Sequence, residues 1–280
     1  MTGRVEQITA PIAYHAEGPV WVDRLHWVDM LAGDVLSLGS DGTVGRRHVG
    51  AVVAALRPRA SGGFVYALER GFALDDGIGT PIRAMPDLWT SDAVRMNEGG
   101  CDPDGRFYCG SMAYAETPGA ASLYRLDPDG SVATVLGGLT ISNGLEWSPD
   151  GRLAYYVDSV TGRIDVMDYD TDRGLTGRRP FATIDGGSPD GLTVDAEGGI
   201  WVAIWGGSAI QRFTPEGSLS EIIELPVTQV TACTFGGADL DELFITTSRE
   251  GLPAGEEPAA GALFHLRPVI AGCPVRPFAG

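Results

Sequence analysis

Three polar residues, two asparagines and an aspartate, recur at one position relative to the turns of this chain. Each stands ten residues before the first apolar residue that follows a turn: Asn97 before Phe107, Asn143 before Leu153 and Asp190 before Ile200. Matching Trp21 to Trp147 adds Glu17, which then falls at the position of Asn143. Carboxylate and amide oxygens without Cys or His suit a hard divalent cation such as calcium, magnesium or manganese. These four residues are therefore candidate ligands of one metal ion.

Ordinary turn chemistry offers another interpretation of each of these residues. Asn143-Gly144 and Asp190-Gly191 are common turn dipeptides, and either pair alone is explained by a turn. Turn chemistry gives no reason for a shared register, however, so the repeated position favours a common metal site. In two further repeats the same register holds Ala54 and Cys233, which carry no oxygen ligand.

Arg95 lies two residues before Asn97 in the segment RMNEGG. In a strand, residues two apart face the same side, so the guanidinium of Arg95 would reach the same site as Asn97. There it could donate hydrogen bonds to hydroxyl or carboxyl oxygens of a small ligand. Alternatively, it is a surface arginine paired with one of the many acidic residues, and the residues alone leave both interpretations open.

A repeat in the sequence indicates the strands and turns that must position these residues. Six turns, two of them Pro-Asp-Gly and four of looser form, are each followed by an apolar residue: Leu25, Phe64, Phe107, Leu153, Ile200 and Leu243. The successive gaps of 39, 43, 46, 47 and 43 residues, with strand-turn-strand character in each unit, are typical of propeller blades of four antiparallel strands. The sequence therefore predicts an all-β, six-bladed β-propeller that occupies residues 1–280 as a single domain.

The segment RVEQITA precedes the first repeat and has no hairpin partner nearby. We predict that it completes the last blade and thereby closes the ring of blades. The first strand of every propeller blade lines the central channel, so residues at the same place in each repeat converge on one axis. The candidate ligands would meet there although they are far apart in sequence.

Composition and charge exclude several classes of function. The formal net charge of -17 would repel nucleic acids and anionic membranes, so neither is an expected partner. All 20 basic residues are arginine, which excludes Schiff-base lysine chemistry and a phosphate-loop lysine. The four cysteines show no C-x-x-C spacing and the four histidines no H-E-x-x-H motif, so a zinc cluster and a histidine-bound zinc hydrolase are disfavoured. Without a secretory signal or a long apolar run, the chain is predicted to be soluble and cytoplasmic.

Several longer motifs, taken in order, resemble the SMP-30/gluconolactonase/regucalcin family over nearly the whole chain. They are AEGPVW, RMNEGGCDPDGRFYCGSM, ISNGLEWSPDGRLAYYVDS and SPDGLTVDAEGGIWVAIWGG, with TACTFGG and TSRE near the C-terminal end. The resemblance implies a six-bladed β-propeller that binds one divalent metal ion on its axis and hydrolyses sugar lactones. The ion would be calcium, or zinc, manganese, magnesium or iron. The resemblance also implies residue roles, with the metal held by Glu17, Asn143 and Asp190 and the substrate contacted by Arg95 and Asn97.

Two departures from the family pattern leave the sugar specificity open. Family members often have Asn-Asp-Gly where this chain has Asn97-Glu98-Gly99. A substrate-contacting glutamate of some members aligns with Ala115, and Glu116 follows one residue later. Neither departure touches the implied metal ligands.

The expected reaction is the hydrolysis of a cyclic ester of an aldonic acid, with a small-molecule sugar lactone as the partner. A metal would polarise the carbonyl, Asp190 would also accept a proton from the attacking water, and Arg95 and Asn97 would hold the sugar hydroxyls. The absence of a G-x-S-x-G motif agrees with a mechanism that needs no serine nucleophile. Two alternatives stay open: a non-catalytic calcium-binding propeller, and a metal-dependent esterase or lactonase acting on non-sugar substrates. The sequence does not predict an oligomeric state.

Overall fold

Six four-stranded antiparallel sheets account for almost all the regular structure in the computed structural model of the chain, which describes residues 3–77 and 79–280. Two short 3-10 turns, Met30–Ala32 and Ser159–Thr161, are the only helical elements of these described ranges. Accordingly, no helix within them is long and apolar enough to cross a membrane.

Each sheet is one blade, numbered in chain order. The chain begins with β1 (Glu6–Gln7), which belongs to the last blade. Blade 1 comprises β2 (Ala16–Val22), β3 (Arg24–Asp29), β4 (Asp34–Leu38) and β5 (Val44–His48). Blade 2 comprises β6 (Val53–Pro58), β7 (Phe64–Leu68), β8 (Phe72–Leu74) and β9 (Arg83–Ala84). Blade 3 comprises β10 (Val94–Cys101), β11 (Phe107–Ala113), β12 (Ala121–Leu126) and β13 (Val132–Leu139).

The second half of the chain repeats the arrangement. Blade 4 comprises β14 (Ser142–Trp147), β15 (Leu153–Asp158), β16 (Arg163–Asp170) and β17 (Gly174–Thr183). Blade 5 comprises β18 (Ser188–Val194), β19 (Ile200–Trp205), β20 (Ala209–Phe213) and β21 (Leu219–Glu224). Blade 6 comprises β22 (Val230–Gly236), β23 (Glu242–Thr247), β24 (Phe264–Leu266) and, as its outermost strand, β1.

The predicted six-bladed propeller is confirmed, and so is the closure of its ring. Each of the six apolar residues that define the repeat lies at or next to the start of the second strand of a blade. Strand β1 pairs antiparallel with β24, with Glu6 opposite His265. The first and last parts of the chain therefore share one sheet.

Buried aromatic side chains pack between neighbouring blades and join them. Tyr108 of blade 3 lies 5.4 Å from Trp147 of blade 4, measured between ring centroids. Trp201 of blade 5 lies 5.8 Å from Phe235 of blade 6. Such pairs contribute about 0.5–1.5 kcal/mol each beyond the burial of their area. The blades thus form a rigid support for side chains on the axis.

An irregularity in the pairing of each inner strand occurs where the candidate ligands lie. The register of β14 shifts between Ser142 and Leu145, and that of β18 shifts between Pro189 and Leu192. The inner strands of blades 1 and 3 shift in the same place, next to Glu17 and across Asn97. Such bulges turn a side chain away from its usual direction in the sheet.

The glycines that follow the candidate ligands have a packing role. A Cβ atom on Gly144 would lie 2.8 Å from the carbonyl oxygen of Asp190, and one on Gly191 would lie 2.5 Å from the Cβ of Ala232. Neighbouring inner strands therefore approach so closely that no side chain fits between them. Gly18 differs, because its φ of 50° is one that glycine adopts more readily than other residues.

Candidate active site

A cavity of about 250 Å³ lies at the end of the channel where the inner strands begin. All five residues singled out from the sequence line it: Glu17, Arg95, Asn97, Asn143 and Asp190. They come from the inner strands of blades 1, 3, 4 and 5. The sixfold repetition thus brings together residues that are up to 173 positions apart.

The lining residues form two sets, one above the other. The inner ring consists of Glu17, Asn97, Asn143 and Asp190. The outer ring consists of the residues two positions earlier in each chain segment, namely His15, Arg95, Ile141 and Ser188, which also line the cavity. Because alternate residues of a strand face the same side, each outer-ring residue lies on the same side as the inner-ring residue two positions later and precedes it in the chain.

The inner ring places two carboxylates in a buried environment. Glu17 is 3% exposed and Asp190 is 5% exposed. The pKa of Glu17 lies well above its usual value, first because burial disfavours the charged form and then because of the charge of Asp190. Burial also raises the pKa of Asp190, and the charge of Glu98 adds to this effect. A site of this kind favours whatever neutralises its charge, which can be a proton or a cation.

Two oxygens of the inner ring have no hydrogen-bond partner among the described residues. Asn143 donates from Nδ2 to Ser159 Oγ at 3.1 Å, and this leaves its Oδ1 unpaired and buried. Asp190 Oδ1 is also buried and unpaired. Since buried polar atoms nearly always have a partner, these two oxygens are available to a ligand or a water molecule. The oxygen chemistry fits a hard divalent cation.

Glu17 completes this candidate set. Its Oε2 accepts a hydrogen bond from the backbone N–H of Gly18 at 3.0 Å, which orients the carboxylate. Within residues 3–77 and 79–280, no three His, Cys, Asp or Glu side chains gather into a metal-binding cluster. The candidate set consists instead of two carboxylates and one amide, so a bound cation would need further oxygen ligands from water or substrate.

Arg95 is buried beside the inner ring, which disagrees with the alternative of a surface arginine. It is 4% exposed, and its Nη1 donates to Asn97 Oδ1 at 2.6 Å and to the carbonyl of Met96 at 3.0 Å. Its guanidinium lies 5.8 Å from the ring centroid of Tyr114. Asn97 in turn donates from Nδ2 to the carbonyl of Ser142 at 2.9 Å. The two residues predicted to contact substrate are therefore held together as a unit.

The two departures from the family pattern lie in different places. Glu116 lines the cavity at its exposed edge, with a φ of 50°, so a carboxylate is present one residue after Ala115. Glu98 is buried beside the inner ring, where its Oε1 accepts from the backbone N–H of Gly99 at 2.9 Å and lies 3.8 Å from Arg57 Nη2. Glu98 thus influences the inner-ring carboxylates by its charge without lining the cavity.

Sequence reasoning missed several residues of the cavity wall. They are His15, Met112, Ile141, Ser159, Val160, Ser188, Trp205 and Glu250. The spacing that pointed to Arg95 could have found three of these, because His15, Ile141 and Ser188 stand in the same relation to the inner ring. The others lie in the last residues of the second strands of their blades or just after those strands, and no sequence signal distinguished them.

One register assignment was wrong. Cys233 was placed at the position of the candidate ligands, but it pairs with Ile245 and lines a separate, smaller cavity together with Trp147 and Arg276. The inner strand of blade 6 has its irregularity between Val230 and Ala232 instead. The turn of blade 6 is two residues longer than that of blade 5, as the paired residues Phe235 and Leu243 show against Val194 and Ile200, so the count in blade 6 was wrong by two residues.

The fold and the cavity define a six-bladed β-propeller with a polar, carboxyl-containing cavity at one end of its channel. The chain belongs to the SMP-30/Gluconolactonase/LRE-like family, whose sequence profile matches residues 15–249. This confirms the resemblance inferred from the motifs.

Individual relatives cover most of the chain. Regucalcin from Danio rerio is 35% identical over 264 residues, which cover 89% of each protein. The crystal structure of a calcium-binding protein, regucalcin, from Agrobacterium tumefaciens matches with a TM-score of 0.92 at 27% identity, over 99% of this chain and 97% of that one. A gluconolactonase from Xanthomonas campestris matches with a TM-score of 0.78 at 25% identity, over 95% of this chain and 89% of that one.

Proposed function

We propose that this protein is a hydrolase that opens sugar lactones to the corresponding sugar acids and uses one divalent metal ion. The observation that carries the proposal is the meeting of Glu17, Asn143 and Asp190 at one cavity, with two buried oxygens that lack partners. The relatives named as gluconolactonase and as calcium-binding regucalcin support it.

The size and lining of the cavity support a small, polar substrate. Its volume of about 250 Å³ lies below the range of about 300–1,000 Å³ that is typical of sites for drug-sized ligands. The lining combines the polar groups of the two rings with apolar side chains such as Met112, Val160 and Trp205. A monosaccharide lactone, with hydroxyls at its edge and C–H groups on its faces, suits such a wall.

Glu17, Asn143 and Asp190 would hold the metal ion, which would supply Lewis acidity toward the ester carbonyl. Asp190 has an unpaired Oδ1 and is the base that we assign to accept a proton from the attacking water. The water oxygen bonds to the carbonyl carbon, the ring C–O bond breaks, and the released ring oxygen takes up a proton. The product is an open-chain hydroxy acid.

Arg95 and Asn97 would hold the hydroxyls of the substrate so that the ester carbon faces this water. Arg95 keeps donors available because the hydrogen bonds to Asn97, to the backbone of Met96 and to Met30 Sδ all come from its Nη1, and its buried Nε has no partner among the described residues. A protein that only binds calcium has no need of this pair, which is why we favour an enzyme over an ion buffer. The cytoplasmic location and the absence of nucleic-acid or membrane partners remain predictions.

The proposal is tested by a pH-release assay on gluconolactone, xylonolactone and galactonolactone before and after exhaustive chelation. We expect hydrolysis of at least one of them, a loss of about a hundredfold or more on chelation, and recovery when one equivalent of a divalent ion is added back. Metal analysis of the purified protein identifies the ion. Activity that survives complete metal removal would disprove the metal role, and failure with every lactone would favour the calcium-binding or non-sugar esterase alternatives.

Replacing Arg95 by glutamine should raise KM about 10- to 100-fold, because hydrogen bonds from a charged group contribute about 1.5–3 kcal/mol. The measurement is steady-state kinetics on the best lactone, with thermal unfolding to confirm that the variant is folded. Arg152→Gln is the matched control, since the side chain of Arg152 is 84% exposed. If Arg95→Gln binds substrate as tightly as the control does, the assigned substrate contact is wrong.

A further inference from the structure

His15 occupies the outer ring of blade 1, where blade 3 has Arg95. It lies two residues before Glu17, as Arg95 lies two residues before Asn97, and both side chains line the cavity. His15 is only 5% exposed, so the imidazole is part of the wall and not of the outer surface. His15 is neither one of the proposed metal ligands nor the proposed base.

The imidazole is held from one side by neighbouring blades. Its Nδ1 lies 2.8 Å from Ser248 Oγ and 3.4 Å from Glu250 Oε2, both of which follow the second strand of blade 6. Ser248 is itself fully buried, and its Oγ accepts a hydrogen bond from the backbone N–H of Glu250 at 3.0 Å. The ring also meets Trp205 of blade 5 edge to face at 5.9 Å. These contacts fix the orientation of the ring before any ligand arrives.

The opposite nitrogen, Nε2, makes no hydrogen bond within residues 3–77 and 79–280. We propose that His15 is a specificity-determining residue that hydrogen-bonds a ring hydroxyl of the substrate through Nε2; this inference rests on the proposed lactonase function. A hydroxyl can both donate and accept, so it can pair with Nε2 whether or not that nitrogen carries the proton. Trp205 would provide an apolar face beside the same part of the sugar.

Two conservative variants separate this role from a purely structural one. An asparagine amide reaches about as far as Nδ1, so His15→Asn keeps the contact with Ser248 but loses the group at Nε2. A glutamine amide reaches about as far as Nε2, so His15→Gln keeps the group that faces the ligand. Two lactones with the same ring serve as probes, gluconolactone with its hydroxyls and δ-valerolactone without them.

We expect His15→Asn to raise KM for gluconolactone about five- to tenfold, with kcat changed less than about twofold, because one neutral hydrogen bond is lost. KM for δ-valerolactone should stay the same, and His15→Gln should restore most of the binding of gluconolactone. His48→Asn serves as the control, since the side chain of His48 is 70% exposed. Equal changes for both lactones, or rescue by asparagine instead of glutamine, would overturn the inference.

Equilibrium binding of 1,5-anhydro-D-glucitol, which has the hydroxylated ring but no ester, gives a readout that does not require turnover. Calorimetry should show weaker binding to His15→Asn than to the wild type and to His15→Gln. This pattern would support the inference even if no lactone were hydrolysed, in which case only the proposed function would fail. Equal binding to all three proteins, or no binding to the wild type, would overturn the role of His15.

Discussion

Asp190→Asn should lower kcat/KM for lactone hydrolysis by about a thousandfold or more. The substitution keeps the shape of the side chain but removes the charge that would hold the metal and the group that would accept a proton from water. General-base catalysis alone contributes about 10²–10⁴-fold, and weaker metal binding adds to the loss. Because burial and the charge of Glu98 already disfavour the charged form of Asp190, the amide should leave the metal-free protein at least as stable.

The measurement combines lactone kinetics with the metal content of the purified variant and its urea unfolding in the presence of a chelator. Asp185→Asn is the matched control, because Asp185 is an exposed carboxylate that precedes the inner strand of the same blade. It should behave like the wild type in all three measurements. If Asp190→Asn retains turnover within tenfold of the wild type, the base must be another residue.

The largest effect on stability is expected from Asp195→Ala. Asp195 is fully buried in the turn between β18 and β19 and accepts four hydrogen bonds. They come from the backbone N–H groups of Glu197 and Gly199 at 3.0 and 2.8 Å, Trp201 Nε1 at 2.8 Å and Arg212 Nε at 2.8 Å. Without the carboxylate, a buried guanidinium and several buried N–H groups lose their partner. Removal of one member of a buried ion pair costs about 3–5 kcal/mol.

Urea unfolding in the presence of a chelator measures the loss of stability as a lower free energy of unfolding. Glu197→Ala is the matched control, because Glu197 lies in the same turn but is exposed, and surface substitutions usually change stability by less than about 0.5 kcal/mol. The two variants should therefore differ by several kcal/mol. Equal stability would mean that the carboxylate of Asp195 adds nothing beyond what the turn already provides.

Local patterns were enough to predict the fold, because the turns and strands of a propeller recur at a regular spacing along the chain. Each blade repeats a turn followed by an apolar run, and the spacing of Leu25, Phe64 and their four counterparts predicted the number of blades correctly. The closing strand at Glu6–Gln7 was also predictable, since a strand without a local partner must find one elsewhere.

The sequence by itself also determined which side chains meet at the axis. Residues at one register position of the inner strands must converge in a closed ring, so Glu17, Asn143 and Asp190 could be grouped before any coordinates were known. The ten-residue spacing gave a wrong position only for Cys233, because the turn of the last blade has a different length.

Only the tertiary structure decided what surrounds these side chains. The unpaired oxygens of Asn143 and Asp190 depend on which atoms their neighbours from other blades already occupy. Asn143-Gly144 could be an ordinary turn dipeptide by sequence, but a Cβ on Gly144 would lie 2.8 Å from the carbonyl oxygen of Asp190, so the close approach of the next inner strand explains the glycine better. The hydrogen bond between His15 and Ser248 joins residues that are 233 positions apart in sequence, at the place where the first and last blades meet. Strand register is a local property that a sequence carries, whereas burial, unmet hydrogen bonds and close packing arise only when distant segments are brought together.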